Sequence, residues 1–253
     1  MTAYTKPDLR SLLSTQKTVF QAWLGLASPL GVEIVADAGW QTVLIDQQHG
    51  GGGPAELAAC LTAARAAGVP ALARVSHLDY GLIGRALDTG AQGVVVPMIE
   101  TAEEAARLAH AVKYPPIGGR SIGPYRARFL VEGDYFLEAN AWTIACGQIE
   151  TARGVENIDA ICATEGFDMI CLGPNDLAIS MSGGKDRDIK LPRMLETVEH
   201  VRKQAASHGV ATMIFANDHE YAKHMIEAGW EIVTVSSDHA WLAAIARQML
   251  PTK

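Results

Sequence analysis

Eight times over, a short apolar run in this sequence gives way to a helical pattern. Apolar stretches of strand length fall at Val19–Leu26, Thr42–Asp46, Ala71–Val75, Gly93–Pro97, Thr143–Glu150, Met169–Gly173, Ala211–Ala216 and Glu231–Ser236. Apolar residues recur at helical spacing over Leu30–Ala38, Ala55–Ala67, Tyr80–Thr89, Ala102–Val112, Val155–Thr164, Leu191–His208, Glu220–Ala228 and Trp241–Met249. Gly39, Gly68, Gly90, Gly209 and Gly229 each follow a helix just ahead of a strand, where a left-handed residue ends a helix at least cost. Strands joined by helices run parallel. Eight such units, without the glycine fingerprint of a dinucleotide fold, predict a closed (β/α)8 TIM barrel rather than a doubly wound sheet. Pro7–Ser14 predicts an extra N-terminal helix. Lys113–Asn140 is the one long irregular connection, a length that usually carries function in a compact barrel. No linker interrupts the pattern, so residues 1–253 are read as a single domain.

Composition excludes several classes. A net charge of −7 with no Lys/Arg block argues against a nucleic-acid surface. No apolar run reaches the roughly 18 residues of a membrane span, and Met1–Thr18 is too polar for a signal peptide. Cys60, Cys146, Cys162 and Cys171 sit inside apolar patterns with no C-x-x-C pair, as expected of buried thiols in a reducing compartment. Together these predict a cytoplasmic protein.

A barrel of this kind does its chemistry where the strands end. The polar residues expected there are Asp46, Gln48 and His49 after the second strand, Arg74 on the third, and Gln148 and Glu150 on the fifth. Asn175 and Asp176 follow the sixth, Asn217-Asp218-His219 the seventh, and Ser237-Asp238-His239 the eighth. Glu150 and Asp176 end consecutive strands of one strand-helix-strand unit. Neighbouring strands lie about 4.8 Å apart, so these carboxylates are expected to meet. They repel unless a cation sits between them, and a hard divalent ion on two carboxylates keeps positions open for waters and substrate oxygens. Helix capping is the alternative reading, and it does not account for both strand ends. Arg74 needs a partner, either a carboxylate of the barrel mouth or a substrate carboxylate or oxyanion. His49 is either an acid/base group working beside Asp46 or a structural histidine. Asp218 and Asp238 are read as helix N-caps, and Gly50–Gly53 as a flexible loop, since it lacks the lysine and spacing of a phosphate cradle.

Several words of the sequence resemble, over nearly its whole length, the metal-dependent (class II) pyruvate aldolases of the hydroxy-ketoacid aldolase family. Members of that family include 4-hydroxy-2-oxoheptanedioate aldolase and 2-dehydro-3-deoxy-glucarate and rhamnonate aldolases. The words are Trp23-Leu24-Gly25-Leu26, Leu44-Ile45-Asp46 with His49, Val95-Val96-Pro97-Met98, Tyr114-Pro115-Pro116 with Gly119-Arg120, Gln148-Ile149-Glu150-Thr151, and Gly173-Pro174 with Asp176-Leu177. The resemblance implies a (β/α)8 barrel whose last helix is swapped between subunits of a homo-hexamer. It implies metal ligation by Glu150 and Asp176, enolate stabilisation by Arg74, support of the oxoacid by Gln148, and proton handling through water by Asp46 and His49. Asp88 would support that histidine from a neighbouring subunit. Two departures stand out. Gln48 replaces an acid common in the family, and Pro124 replaces a residue able to donate its amide. The oxoacid carboxylate then falls to other amides, with those of Asn175 and Asp176 the expected suppliers, or else the loop carrying Pro124 sits differently.

Making or cleaving a carbon–carbon bond next to a ketone requires the enolate of a 2-oxoacid, held by a lysine imine or a metal. None of the predicted strands contains a lysine, which disfavours the imine. All-oxygen ligation suits Mg²⁺ or Mn²⁺ and accommodates Co²⁺, with no organic cofactor. The expected activity is a reversible aldolase joining pyruvate or a related 2-oxoacid to an aldehyde, giving 4-hydroxy-2-oxoacids. The alternative is a lyase for the CoA thioester of a hydroxyacid, which would want a basic patch where only scattered Arg120, Arg126 and Arg128 occur. A non-catalytic metabolite-binding barrel is the third reading.

Overall fold

The computed structural model of the chain describes residues 6–251; Met1–Thr5, the first part of the polar start, lie outside the described residues. Eight strands, β1 (Val19–Leu24), β2 (Thr42–Asp46), β3 (Ala71–Arg74), β4 (Gly93–Val96), β5 (Ile144–Ile149), β6 (Met169–Leu172), β7 (Ala211–Ala216) and β8 (Ile232–Val235), close into one barrel in sequence order. Every neighbouring pair is parallel. Before and around it run α1 (Leu9–Thr15), α2 (Pro29–Asp37), α3 (Pro54–Ala66), α4 (Tyr80–Thr89), α5 (Ala102–Val112), α6 (Tyr135–Trp142), α7 (Ala152–Glu156), α8 (Ile158–Cys162), α9 (Pro174–Ser182), α10 (Pro192–Ser207), α11 (His219–Ala228) and α12 (Asp238–Gln248). Gly90 and Gly229, with φ of 109° and 92°, end α4 and α11 in left-handed backbone, as the sequence predicts.

Three stretches differ from the sequence reading. The helix expected over Val155–Thr164 is two short ones, α7 and α8, meeting at Asn157, whose side-chain amide is drawn out to Glu100 O at 2.9 Å. The long connection Lys113–Asn140 is not irregular throughout: Asp134 accepts from the Phe136 amide and starts α6. That segment packs on itself through Tyr114, Ala127, Val131, Tyr135 and Ala139. Helix α9, with Pro174 in its first turn and Gly183 left-handed at its end, falls where only a strand exit was expected.

Strand periodicity sorts the side chains into two sets. Outward residues such as Val43, Ile45, Ala73 and Ile149 join the core shared with the helices. Inward residues Val19, Leu44, Leu72, Cys146, Met169, Cys171, Met213 and Ile232 fill the barrel. Helix α1 closes the amino-terminal end with buried Leu9, whose amide donates to Gln92 Oε1 at 2.8 Å. Beside it Asp168 takes Arg10 at 2.6 Å and Lys113 at 2.8 Å. Lys113 Nζ also donates to the Asn140 and Thr143 carbonyls. The last helix, α12, lies on its own barrel, Trp241 packing on Trp40 at 5.0 Å and donating to Val235 O at 3.0 Å. It exposes Leu242 and Ile245, with Met249 and Leu250 just beyond its end. Among the described residues no helix is long and apolar enough to cross a membrane.

Candidate active site

At the carboxyl end the inward-facing positions change from apolar to polar. One step beyond Leu44, Leu72 and Cys146 on the same face stand Asp46, Arg74 and Gln148, and beyond Gln148 stands Glu150. Asp46, Arg74 and Gln148 rim a cavity of about 280 Å³, whose lining also includes Trp23, His49, Gly173, Asn175, Asp176, Phe215, Ser237 and His239; Glu150 lies behind this lining, joined to it through Gln148.

Asp46 and Arg74 occupy paired positions on β2 and β3, and their side chains form a two-pronged contact. Arg74 Nε donates to Asp46 Oδ1 at 2.9 Å and Nη2 to Oδ2 at 2.5 Å. Trp23 completes the frame. Its indole N–H donates to Asp46 Oδ2 at 3.1 Å, and the guanidinium lies 4.6 Å over its ring. The Gln48 and His49 amides also point to Asp46 Oδ1, at 3.0 and 3.3 Å. Burial pushes the Asp46 carboxyl up, but Arg74, with the Gln48 amide and the indole, outweighs it and leaves the group below its ordinary range. Of the two partners open to Arg74 from sequence, the protein supplies the carboxylate of the barrel mouth. Both Asp46 oxygens are thereby taken, which leaves the exposed His49 imidazole as the less encumbered of the two groups expected to move protons.

Glu150 is 4% exposed. Its Oε1 accepts from the Met98 amide at 2.9 Å and its Oε2 from Gln148 Nε2 at 2.7 Å. Met98 adopts φ of 58°, uncommon for a side chain of its size. Burial, and after it the charge of Asp176, lift the Glu150 carboxyl to about 7, against the opposing Met98 amide, Arg74 and Gln148. A divalent cation bound here would offset both the burial of this carboxylate and the like charge of Asp176. Gly173 keeps the approach open, since a Cβ there would lie 2.9 Å from Glu150 Oε2. Among the described residues no three His, Cys, Asp or Glu side chains cluster. Two carboxylates, Glu150 and Asp176, are the groups that could hold a cation here, and such a pair would suit a hard ion completing its shell with water and substrate oxygens.

Asn175 and Asp176 lie in the first turn of α9, whose N-cap position, Gly173, has no side chain to satisfy the free amides. Those amides suit an anionic oxygen. The Asn175 side chain forms a reciprocal amide pair with Asn217, at 3.0 and 2.8 Å. Asp88 is not brought to the cavity of its own barrel. It sits on α4 with Oδ1 on Arg120 at 2.8 Å. Nor does the segment carrying Arg120 and Pro124 line the cavity; Arg120 stacks between Tyr114 and Tyr135 instead. Asp218 caps α11 as expected, accepting from Tyr221 N at 2.8 Å. Asp238 does not cap α12; it accepts the Gly25 and Leu26 amides and ties the start of α12 to the exit of β1. The Gly50–Gly53 loop is closely packed: a Cβ on Gly50 would fall 2.0 Å from Asp46 O, and one on Gly52 2.3 Å from Ala27 Cβ. Sequence reasoning gave no role to Trp23, Met98, Ser237 or His239. The signal for the first two was the words Trp23-Leu24-Gly25 and Val96-Pro97-Met98, quoted without a role.

Paired carboxylates and a carboxylate-braced arginine at the strand ends of a parallel barrel define a site suited to carbonyl and carboxylate chemistry. The chain belongs to the HpcH/HpaI aldolase/citrate lyase family, whose model matches residues 20–244. It is 34% identical over 258 residues to the hydroxypyruvate/pyruvate aldolase of Paraburkholderia phytofirmans, covering 99% of this chain and 98% of that one. It is 33% identical over 245 residues to the 5-keto-4-deoxy-D-glucarate aldolase of Salmonella paratyphi C, covering 96% and 95%. Among solved structures, an HpcH/HpaI aldolase/citrate lyase family protein from Burkholderia cenocepacia superposes with a TM-score of 0.86 at 34% identity, covering 95% and 96%.

Proposed function

We propose that this protein is a divalent-metal-dependent aldolase that reversibly joins pyruvate, or a related 2-oxoacid such as hydroxypyruvate, to an aldehyde. The observation that carries the reading is the placement of two carboxylates after consecutive strands, Glu150 buried and held by the Met98 amide and Gln148, and Asp176 in the first turn of α9 on the cavity wall; burial and the charge of Asp176 push Glu150 up to about 7. Relatives named as pyruvate and hydroxypyruvate aldolases support the substrate class.

Glu150 and Asp176 hold the cation, Mg²⁺ or Mn²⁺ with Co²⁺ accommodated. When bound, it supplies Lewis-acid stabilisation of an enolate oxygen. The α9 amides of Asn175 and Asp176 take the oxoacid carboxylate, and Gln148 braces both Glu150 and the guanidinium. Arg74 is held rigid by Asp46 and Trp23, so its remaining N–H edge meets the developing enolate charge without reorganising. Asp46 serves as the anchor of Arg74. His49 hands a proton to and from the aldehyde oxygen through water. Asp88 acts, if at all, on the histidine of another subunit in a homo-oligomer. The apolar side chains displayed by α12, Leu242 and Ile245, give that assembly a surface on which the last helix would be exchanged. The CoA-lyase alternative loses ground, because Arg120 is engaged by Asp88 and Arg126 by the Ala58 and Thr89 carbonyls.

The test is cleavage of a 4-hydroxy-2-oxoacid with and without chelator. Turnover lost on chelation and restored by Mn²⁺ or Mg²⁺ is expected; turnover indifferent to chelator, or confined to CoA thioesters, refutes the assignment.

A further inference from the structure

The carboxylates proposed to hold the metal follow β5 (Glu150) and β6 (Asp176, in α9), so the wall across the barrel is built by β8, β1 and β2. Trp23 from β1 forms its centre, with Phe215 from β7 edge-on to it at 5.4 Å. His49 stands on one side of Trp23. On the other stand Ser237 and His239, which also line the cavity.

Two details set this second pair apart from helix chemistry. Ser237 occupies the N-cap of α12, where a serine hydroxyl ordinarily accepts from an amide of the first turn, yet it makes no cap hydrogen bond. Its hydroxyl, on a residue 5% exposed, lies instead 3.2 Å from His239 Nε2. The His239 backbone is fixed by Asp238, whose Oδ1 accepts both the His239 and Gly25 amides, at 2.8 and 2.9 Å. Gly25 leaves the ring its place, since a Cβ there would stand 3.1 Å from His239 Nδ1. A hydroxyl and an imidazole are thus braced together at the cavity edge, next to an aromatic wall.

Resting on the aldolase reading above, we propose that Ser237 and His239 select the acceptor, favouring aldehydes that carry a hydroxyl group beyond the carbonyl. With the carbonyl at His49, the aldehyde's carbon chain runs along Trp23 and Phe215 towards this pair. A hydroxyl both donates and accepts, as the pair does. A distal carboxylate would want a fixed cation, and among the described residues lining the cavity Arg74 is the sole Lys or Arg, already committed to Asp46.

The experiment compares kcat/KM for glyceraldehyde and propanal, with pyruvate as nucleophile, in the wild type, Ser237→Ala, His239→Phe and His239→Gln. Pyruvate methyl-proton exchange with D₂O, run on the same samples, reports the enolate half independently of any aldehyde. The wild type should favour glyceraldehyde by roughly tenfold or more, a range typical of a site built to bind a hydroxyl. Ser237→Ala and His239→Phe should each erase most of that ratio, and His239→Gln, which keeps an N–H, should retain most of it. A ratio near one in the wild type, or one that survives both substitutions while exchange proceeds, overturns the proposal. A preference for succinic semialdehyde over butanal that His239→Phe abolishes overturns it in favour of a carboxylate. Absence of exchange in the wild type defeats the underlying aldolase reading, and the acceptor assignment with it.

Discussion

The two ends of the barrel treat buried charge in opposite ways. At the amino-terminal end one carboxylate, Asp168, meets two cations, Arg10 at 2.6 Å and Lys113 at 2.8 Å, and Lys113 finds two carbonyls besides. Burial pulls the Lys113 ammonium below its ordinary range, and Asp168 opposes that pull. At the carboxyl-terminal end the buried Glu150 carboxyl is raised by the charge of Asp176, and Arg74, the guanidinium that opposes this, is shared with Asp46. The first end is complete as it stands and serves stability. The second is incomplete by design of its charges, and an incomplete polar site is where function is to be sought.

Substitutions should separate the two ends. Glu150→Gln or Asp176→Asn removes one of the two charges proposed to hold the cation and is expected to abolish metal-dependent turnover while the thermal transition stays at least as high as in the wild type; near-full activity at limiting metal would end the assignment. Asp168→Ala should do the reverse. It strands a buried ammonium at a cost of about 3–5 kcal/mol, visible in denaturant unfolding, with residual kcat in the folded fraction near normal.

The pH dependence sharpens the contrast. Glu150 is pushed up to about 7 in the folded protein from an ordinary value of 4.5, so the folded state binds its proton more tightly than the unfolded one. The stability linked to that proton is fully present below about pH 4.5 and is lost as pH rises through about 7. In chelator the melting temperature should fall across that window by the equivalent of about 3 kcal/mol at most. Glu150→Gln should remove that fall, and a slope unchanged in the variant would place its origin elsewhere.

His49→Ala should slow aldol cleavage by about 10²-fold, some 2.7 kcal/mol, while much of the pyruvate methyl exchange remains; equal loss of both would assign His49 to enolisation itself. The smallest effect expected is for Arg74→Lys, which keeps the charge but not the fork on Asp46. A fall in kcat of at least about tenfold, near 1.4 kcal/mol, should appear in steady-state kinetics, and an unchanged kcat/KM would return Arg74 to a purely structural ion pair.

Much of this was legible in the sequence because barrels repeat. Period-two strands such as Thr42–Asp46 and Ala211–Ala216 coincide with their apolar runs, and strand ends locate Asp46, Arg74, Gln148, Glu150 and Asp176 without knowledge of contacts. What stayed hidden depends on side-chain direction across the barrel. Nothing in the order of residues says that the Asp46 carboxylate turns to Arg74 rather than to His49. Nor does it say that Ser237 abandons its cap for His239 while Asp238 reaches across to Gly25. Helix α6 was masked because its apolar face follows a loop of glycines and prolines, and α9 because Pro174 reads equally as the end of a strand. Asp88 was named only through an implied partner in another subunit, and within its own chain it turns to Arg120.

The Asp46–Arg74 fork has a kinetic consequence. By neutralising the one guanidinium that the described residues place on the cavity wall, it leaves the two remaining carboxylates to set the local potential, and an oxoacid anion approaching them is repelled. The two charges of a divalent cation cancel theirs and remove that repulsion. Under the proposed reading metal therefore precedes oxoacid, and the anion's affinity becomes a function of how fully the first position is filled.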